Sequence, residues 1–259
     1  MANLKAGRRE ALDINGPLGL GPNLMARHSF DDVTMIASGL LTPEEIDRLR
    51  PPALDALAAE VGSRVYQKVH CGYTRAIDGQ PLFAGRTARG AIYIVRDPRD
   101  VAVSLAHFSG VDIDRAIDSL NSTDSCLGQH TRRQGTQLRQ QLLGWTGHVQ
   151  SWLDQTDIPV HLIRFEDLKS DTTGEFRRAL DFLGEQASGD QVIAAVEHSD
   201  IRELRAQEQR SGFRERWLPS VTFFRRGEAG SWRDELSPEQ SMRIVEANAP
   251  MMQRLGYSV

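Results

Sequence analysis

The sequence predicts an α/β fold in which a parallel sheet is flanked by helices. Three short segments rich in β-branched and aromatic residues, 64–70, 91–96 and 159–165, are apolar at their centres, as buried strands are. Long patterns of helical periodicity lie between the second and third segments and after the third. Strands that alternate with helical crossovers form a parallel sheet, and ligands bind beyond the carboxyl ends of its strands.

Composition favours one globular domain over residues 1–259. Of these residues 40% are hydrophobic and 25% are charged, which is an ordinary globular balance. No apolar stretch approaches the roughly 20 residues of a membrane-spanning helix, and the polar N-terminus has no signal-peptide core. Two cysteines are too few for a disulfide scaffold or a metal cluster, and the net charge of −4 does not favour nucleic acid or an anionic membrane. We therefore expect a cytoplasmic protein, with neither nucleic acid nor a membrane among its partners.

The helices are predicted from the first residues onward. Residues 2–12 have a helical pattern, and the Gly/Pro-rich stretch 13–23 that follows is typical of a loop. Beyond the second predicted strand, the helical patterns cover residues 137–155, 174–184 and 237–249.

A helix start is also predicted at Thr42. Its hydroxyl can cap the helix, Pro43 suits the first helical position, and Glu45 completes a capping box. The dipeptide Pro51–Pro52 predicts an interruption of this helix.

The second predicted strand ends at Arg96 and leads directly into a helix. Asp97 is a ready N-cap, Pro98 suits the first helical position, and Asp100 falls at the third. The first-turn N–H groups and the positive end of the helix dipole make an anion site, with Arg96 at its mouth. Ser104 lies one turn beyond Asp100, so its hydroxyl can face the same side. The alternative is that Arg96 only pairs with Asp97 or Asp100.

A second candidate anion site is the segment FFRRGEAGSW, residues 223–232. Arg225 and Arg226 can grip phosphate oxygens, and Gly227 lets the backbone approach a ligand closely. Residues 201–233 contain eight arginines and four acidic residues, a local charge of +4 in an acidic chain. The alternative is a solvated basic loop.

The candidate base is His70, near the end of the first predicted strand. Lys68 is two positions away, so both side chains would project from one face of a strand. A lysine beside a histidine lowers the histidine's pKa and keeps it a neutral base, while the ammonium can bind a developing negative oxygen. The alternative is a histidine with no chemical role.

Four segments, in this order, resemble the sulfotransferase family that uses 3'-phosphoadenosine 5'-phosphosulfate (PAPS), particularly its bacterial members and the cytosolic aryl and steroid enzymes. The family's patterns are lysine-x-histidine, a 3'-phosphate-binding strand and helix, Tyr-Glu-Asp-Leu, and Arg-Lys-Gly-x-x-Gly-x-Trp. The matching segments are KVH at 68–70, YIVRDPRDVAVSLAHF at 93–108, IRFEDL at 163–168 and RRGEAGSW at 225–232. The resemblance implies the sulfotransferase form of the P-loop-containing nucleotide hydrolase-like fold.

The resemblance also implies a role for each matching residue. His70 would be the catalytic base, with Lys68 beside it. The residues that would bind the 3'-phosphate are Arg96, Ser104, Arg225, Arg226 and Gly227.

Three positions depart from the family's nucleotide site. Ser199 and Ile201 stand where the family contacts adenine with a threonine and an aromatic residue, so stacking is lost. Phe165 replaces the family's usual tyrosine and removes a hydroxyl that would reach the nucleotide.

The activity that the resemblance implies is sulfuryl transfer from PAPS to a hydroxyl or amine of a small-molecule acceptor, with no metal. The product would be 3'-phosphoadenosine 5'-phosphate (PAP). The family opens with a strand and a phosphosulfate loop of the form Pro-Lys-Ser-Gly-x-Thr-Trp, which occurs nowhere in these 259 residues. We therefore expect either a true start upstream of Met1 or a truncated, non-catalytic protein that binds 3'-phosphoadenosine nucleotides. The acceptor and the oligomeric state have no signal in the sequence. No Walker-type loop supports a small-molecule kinase.

Overall fold

The computed structural model describes residues 1–7, 11–16, 23–62, 64–83, 87–128, 135–216, 218 and 221–259. The chain divides into two compact units. Unit 1 comprises Met1–Gly19, Ile92–Leu120 and His161–Val259, and unit 2 comprises Leu20–Ala91 and Asn121–Val160. The prediction of one domain over residues 1–259 stays a prediction.

Helices predominate in both units. The helices are α1 (Ala2–Ala6), α2 (Arg27–Thr34), α3 (Pro43–Val61), α4 (Pro98–Ser109), α5 (Ile113–Asn121), α6 (Gly144–Leu153), α7 (Phe165–Ser170), α8 (Thr172–Leu183), α9 (Gly189–Glu197), α10 (Ile201–Ser211) and α11 (Pro238–Arg254). The strands are β1 (Ala91–Val95), β2 (Cys126–Leu127), β3 (Gln140–Gln141) and β4 (Val160–Arg164), and two 3₁₀ turns cover Ser38–Leu40 and Ser231–Asp234.

The sheet of β1 and β4 lies largely in unit 1 and carries its core. The two strands are hydrogen-bonded neighbours and run parallel, which confirms the predicted α/β class. Val95 near the end of β1 and Ile163 in β4 are buried, as are Val103 of α4 and Ile244 of α11. Both strands end where a helix begins, so the sheet presents two helix N-termini at its carboxyl edge.

Unit 2 is built around α2, α3 and α6. One hydrophobic cluster contains Leu24, Met25, Leu57 and Cys71, each no more than 5% exposed. The short strands β2 and β3 form a separate antiparallel pair in this unit.

The predicted start of α3 is confirmed, whereas its predicted interruption is wrong. The Thr42 hydroxyl accepts from the Glu45 amide, and the Glu45 carboxylate accepts from the Thr42 amide, which is a complete capping box. The helix continues through Pro51 and Pro52 to Val61. Each proline removes only one amide donor, and buried residues on both sides of the pair hold the helix to the core.

The strand predicted over residues 64–70 is also wrong, because these residues are irregular. A strand needs a regular ladder with a partner. The last of these residues and the three that follow it, 70–73, instead make isolated hydrogen bonds to Gln141 and to α6.

Two predicted helices are shorter than expected, and two are confirmed. α1 ends at Ala6, because Gly7 has a left-handed backbone with φ of 56°. The pattern over 137–155 becomes a helix only at α6, because Leu143 and Gly144 both have positive φ. The patterns over 174–184 and 237–249 are confirmed by α8 and α11. Residues 17–22 of the predicted loop lie outside the described residues.

None of the helices in the described ranges is long and apolar enough to cross a membrane.

Candidate functional site

The junction between β1 and α4 is built as the sequence predicts. β1 ends at Val95, and the Asp97 side chain caps α4 by accepting from the Arg99 amide at 2.9 Å. Asp97 also binds the Arg99 guanidinium through both carboxylate oxygens, at 2.9 and 2.7 Å. Because Pro98 opens the helix, α4 starts three residues after the end of β1, and the residues of its first turn, Pro98, Arg99 and Asp100, are buried.

Arg96 lies at this junction with its side chain 22% exposed. Its Nη2 donates to the Glu228 carbonyl at 2.6 Å and lies 3.4 Å from Asp100 Oδ2. The guanidinium carbon also lies 4.5 Å from the ring centroid of Phe165, the first residue of α7. The pairing of Arg96 with Asp100, one alternative from the sequence, is therefore present, and the same guanidinium also reaches the arginine-bearing loop.

Asp100 anchors that loop, which we call the arginine loop and define as residues 223–232. Its side chain has no exposed surface and accepts from the Gly230 amide at 2.7 Å, the Ser231 hydroxyl at 3.2 Å and the Trp232 amide at 3.0 Å. A buried carboxylate with three donors is held firmly, because hydrogen bonds to charged groups are the strong ones. The first turn of α4 and the arginine loop are thereby fixed to each other.

The other end of the arginine loop is anchored by α10. Arg205 donates to the carbonyl oxygens of residues 224–226, and the buried Glu208 carboxylate accepts from the Phe223 and Phe224 amides at 2.8 and 3.0 Å. The sequence predicts Asp100 only as a first-turn residue of α4 and a possible partner of Arg96, and it indicates no role for Arg205 or Glu208. Arg205 and Glu208 are three residues apart and share one face of α10, a weak signal in a helix rich in charged residues.

Two predicted nucleotide contacts, Gly227 of the arginine loop and Ile201 of α10, lie against each other. Gly227 has a φ of 66°, a left-handed conformation that favours glycine. A Cβ at this position would lie 3.1 Å from Ile201 Cγ1, so the loop backbone packs directly on Ile201.

Ser199, another predicted nucleotide contact, already has hydrogen-bond partners. Its hydroxyl donates to the Ala195 carbonyl and accepts from the Asn3 side chain. Ser104 is exposed on α4.

The two loop arginines point toward Glu235. Arg225 Nη1 lies 2.7 Å from Glu235 Oε1, and Arg226 Nη1 lies 3.6 Å from the same oxygen. The second oxygen of Glu235 pairs with His107 Nε2 at 2.8 Å. Burial on its own would raise the pKa of Glu235, but the hydrogen bonds from His107 and Arg225 outweigh burial and lower it. Glu235 is therefore ionised at neutral pH.

Lys68 and His70 belong to unit 2, and both side chains are exposed. Because residues 64–70 are irregular, the argument that places both side chains on one strand face does not apply. The backbone beside them is nevertheless fixed by several hydrogen bonds. They join the His70 carbonyl to His148 Nε2 (3.1 Å), the Cys71 carbonyl to Trp152 Nε1 (3.0 Å), the Gly72 amide to the Gln141 carbonyl (2.9 Å) and the Tyr73 amide to the Ser151 hydroxyl (2.8 Å).

His148 is the residue near His70 that the sequence analysis missed. Burial lowers the pKa of His148, and the nearby His70 lowers it further, while the hydrogen bond to the His70 carbonyl opposes both. The neutral ring of His148 is thus favoured behind the His70 backbone. The sequence offers one weak signal for His148, its position in a helical pattern that follows the candidate base His70 in the chain.

In unit 1, Arg96 contacts Phe165 and the Glu228 carbonyl of the arginine loop, and Gly227 of the same loop packs on Ile201. The two loop arginines pair with Glu235. Lys68 and His70 form a second, separately described set in unit 2. No group of three or more metal-ligating side chains is arranged for a metal ion among the residues described above.

The chain belongs to the sulfotransferase family. The family model for the sulfotransferase domain matches residues 88–256, which include β1, β4, α4 and the arginine loop. Rat sulfotransferase 2A6 (Rattus norvegicus) is 28% identical over 162 residues, which cover 58% of this chain and 52% of the relative. An amine sulfotransferase from Oryctolagus cuniculus is 24% identical over 162 residues, which cover 59% of this chain and 51% of the relative. The chain thus spans about half the length of the curated relatives it matches.

Solved structures show the same fold at lower identity. Retinol dehydratase in complex with androsterone and inactive cofactor PAP superposes with a TM-score of 0.57 at 17% identity, over 94% of this chain and 71% of that one. Mouse sulfotransferase SULT7A1 complexed with PAP gives 0.54 at 18% identity, over 78% of this chain and 72% of that one. These likenesses confirm the sulfotransferase fold that the resemblance implied.

Proposed function

We propose that this chain binds the 3'-phosphoadenosine end of PAPS in unit 1 and transfers the sulfuryl group to a hydroxyl or amine of a small-molecule acceptor. One observation carries the proposal: the buried Asp100 joins the N-terminus of α4, Arg96 and the arginine loop into one basic site. Family membership supports it, and so does the presence of PAP in the two solved structures that share the fold.

The nucleotide would bind through Arg96 and the arginine loop. Arg96, Arg225 and Arg226 supply guanidinium donors for the 3'-phosphate, and Gly227 offers a backbone amide. The Ser104 hydroxyl would be a further donor, since Ser104 is exposed one turn beyond Asp100 on α4.

The adenine side of the site would be apolar. Ile201 lies directly under Gly227, and Phe165 lies under the Arg96 guanidinium. Ser199 would lie at the edge, with its hydroxyl already bonded to Ala195 and Asn3.

In the transfer step His70 would act as general base. It takes the proton of the acceptor hydroxyl or amine, whose electron pair forms the new bond to sulfur. The bond between sulfur and the bridging phosphate oxygen breaks, and its electron pair leaves with PAP. Lys68 would neutralise charge on the transferring oxygens.

Calorimetry on the 259-residue chain tests the nucleotide site. We expect PAP to bind more tightly than adenosine 5'-phosphate, which lacks the 3'-phosphate. Arg96→Ala should weaken PAP binding by about 10- to 100-fold, the range for lost hydrogen bonds to a charged group. The matched control is Arg202→Ala on α10, because the Arg202 side chain is 86% exposed. Equal affinity of wild type and Arg96→Ala for PAP contradicts the proposed site.

The transfer step is tested by following sulfate transfer from PAPS to phenolic and amine acceptors. His70→Ala should lower the rate by about 100- to 10,000-fold, the usual contribution of a general base, with PAP affinity unchanged. His28→Ala, at another exposed histidine of unit 2, should keep the wild-type rate. PAP binding without transfer by the wild type would support the non-catalytic alternative. A cytoplasmic location and membership among the bacterial sulfotransferases stay predictions from the sequence.

A further inference from the structure

Glu235 is an acidic residue that pairs with the two arginines of the arginine loop. It follows the 3₁₀ turn Ser231–Asp234, and its side chain is only 15% exposed. Both of its oxygens are engaged, Oε1 by Arg225 at 2.7 Å and Oε2 by His107 at 2.8 Å, and Arg226 lies 3.6 Å away. One carboxylate therefore holds donors from α4 and from the arginine loop.

The groups that hold Glu235 are the groups that a phosphate would need. Guanidinium donors bind carboxylate and phosphate oxygens in the same planar geometry, so the two anions compete for them. Glu235 keeps its negative charge at neutral pH, because its pKa lies below the ordinary value. A phosphate that approaches Arg225 therefore meets both an occupied donor and a like charge.

The neighbouring Asp234 shows why Glu235 stands out. Asp234 is 75% exposed and lies 3.4 Å from Arg226. Solvent screens such a contact, so exposed pairs contribute little. Glu235 is shielded, close to Arg225 and shared among three partners, so its charge acts on the site far more strongly.

We propose that Glu235 is an internal counter-anion that occupies Arg225 and Arg226 until the 3'-phosphate of the nucleotide replaces it, and that it thereby lowers the affinity of the site. This inference rests on the proposed function, because it assumes that the arginine loop binds the nucleotide. It assigns to Glu235 the regulation of that same site.

The test compares Glu235→Gln with Asp234→Asn by calorimetry on the 259-residue chain. Glutamine keeps the shape of the side chain and one acceptor oxygen but removes the charge. PAP should bind Glu235→Gln about tenfold more tightly than wild type, a change of about 1.4 kcal/mol. Adenosine 5'-phosphate should bind both proteins equally, and Asp234→Asn should stay within about twofold of wild type for PAP.

A second variant guards against a folding defect in Glu235→Gln. Glu235→Asp keeps the charge but withdraws the carboxylate from Arg225 by one methylene, so its PAP affinity should lie between wild type and Glu235→Gln. Unchanged or weaker PAP binding by both variants, each still folded and unfolding in one cooperative transition, overturns the inference while the proposed function stands. Failure of wild type and every variant to bind PAP overturns the proposed function itself.

Discussion

The arginine loop and residues 70–73 are both irregular backbone, but different kinds of contact fix them. The arginine loop in unit 1 is held by ionised side chains: Asp100 and Glu208 accept from its amides, and Arg205 donates to its carbonyls. Residues 70–73 in unit 2 are held by neutral groups, namely an indole, a hydroxyl, an imidazole and a backbone carbonyl.

The difference matches the chemistry that each segment would perform. A hydrogen bond to a charged group contributes about 1.5–3 kcal/mol and a neutral one about 0.5–1.5 kcal/mol. A loop that receives a highly charged phosphate must keep its shape while the local charge changes, and charged anchors resist that change. Under the proposed function, residues 70–73 would only have to hold the His70 imidazole in place, and neutral anchors would do so without adding charge near a base.

The largest expected effect comes from removing the charged anchor of the arginine loop. Asp100→Asn keeps the volume of the side chain but replaces one oxygen with a donor that faces the Gly230 or Trp232 amide. We expect PAP affinity to fall by about 100-fold, roughly 2.7 kcal/mol, because the loop loses its attachment to α4. Calorimetry measures the affinity, and the melting temperature should also fall.

Asp114→Asn on α5 is the matched control for this change. Asp114 also pairs with an arginine, Arg243 at 2.5 Å, but its side chain is 57% exposed. Its replacement should leave PAP affinity unchanged. If Asp100→Asn binds PAP as tightly as wild type does, the charged anchors of the arginine loop do not support nucleotide binding. The proposed difference between the arginine loop and residues 70–73 is then wrong.

A smaller effect is expected from the neutral anchor Trp152. Trp152→Phe removes the indole donor and leaves the buried Cys71 carbonyl without that hydrogen bond. The free energy of unfolding should fall by about 1–2 kcal/mol, the cost of one unsatisfied buried acceptor. Urea unfolding measures this loss. PAP affinity should change less than about twofold, while sulfate transfer slows. A loss of PAP affinity as large as the loss of transfer rate would contradict the division of roles between the two segments.

Local features of the site and fold could be predicted from the sequence, and distant pairings could not. Thr42 and Glu45, or Asp97 and Pro98, act on backbone within three residues of themselves, so spacing alone predicts their helix starts. Asp100 binds Gly230, which is 130 residues further along the chain, and nothing near Asp100 indicates that partner. The pattern over 64–70 indicates a strand, but a strand also requires a neighbour that no local pattern can supply.

The smallest expected effect is the pH dependence that Glu235 adds to the stability of the folded protein. This pH dependence shows whether the negative charge of Glu235 stabilises the arginines of unit 1 before a ligand binds. The pKa of Glu235 is lower in the folded protein than its ordinary value of 4.5, so the folded protein binds this proton less readily than the unfolded protein does. The stabilisation is therefore fully present above that value and is lost as pH falls through the lower, folded pKa. Wild type should melt at a higher temperature than Glu235→Gln at pH 6, by an amount equivalent to less than about 1 kcal/mol, because solvent still reaches part of the pair. The difference should shrink steadily toward pH 3 as wild-type Glu235 becomes protonated. A difference that stays constant over this range would mean that Glu235 stabilises unit 1 by packing and not by its charge.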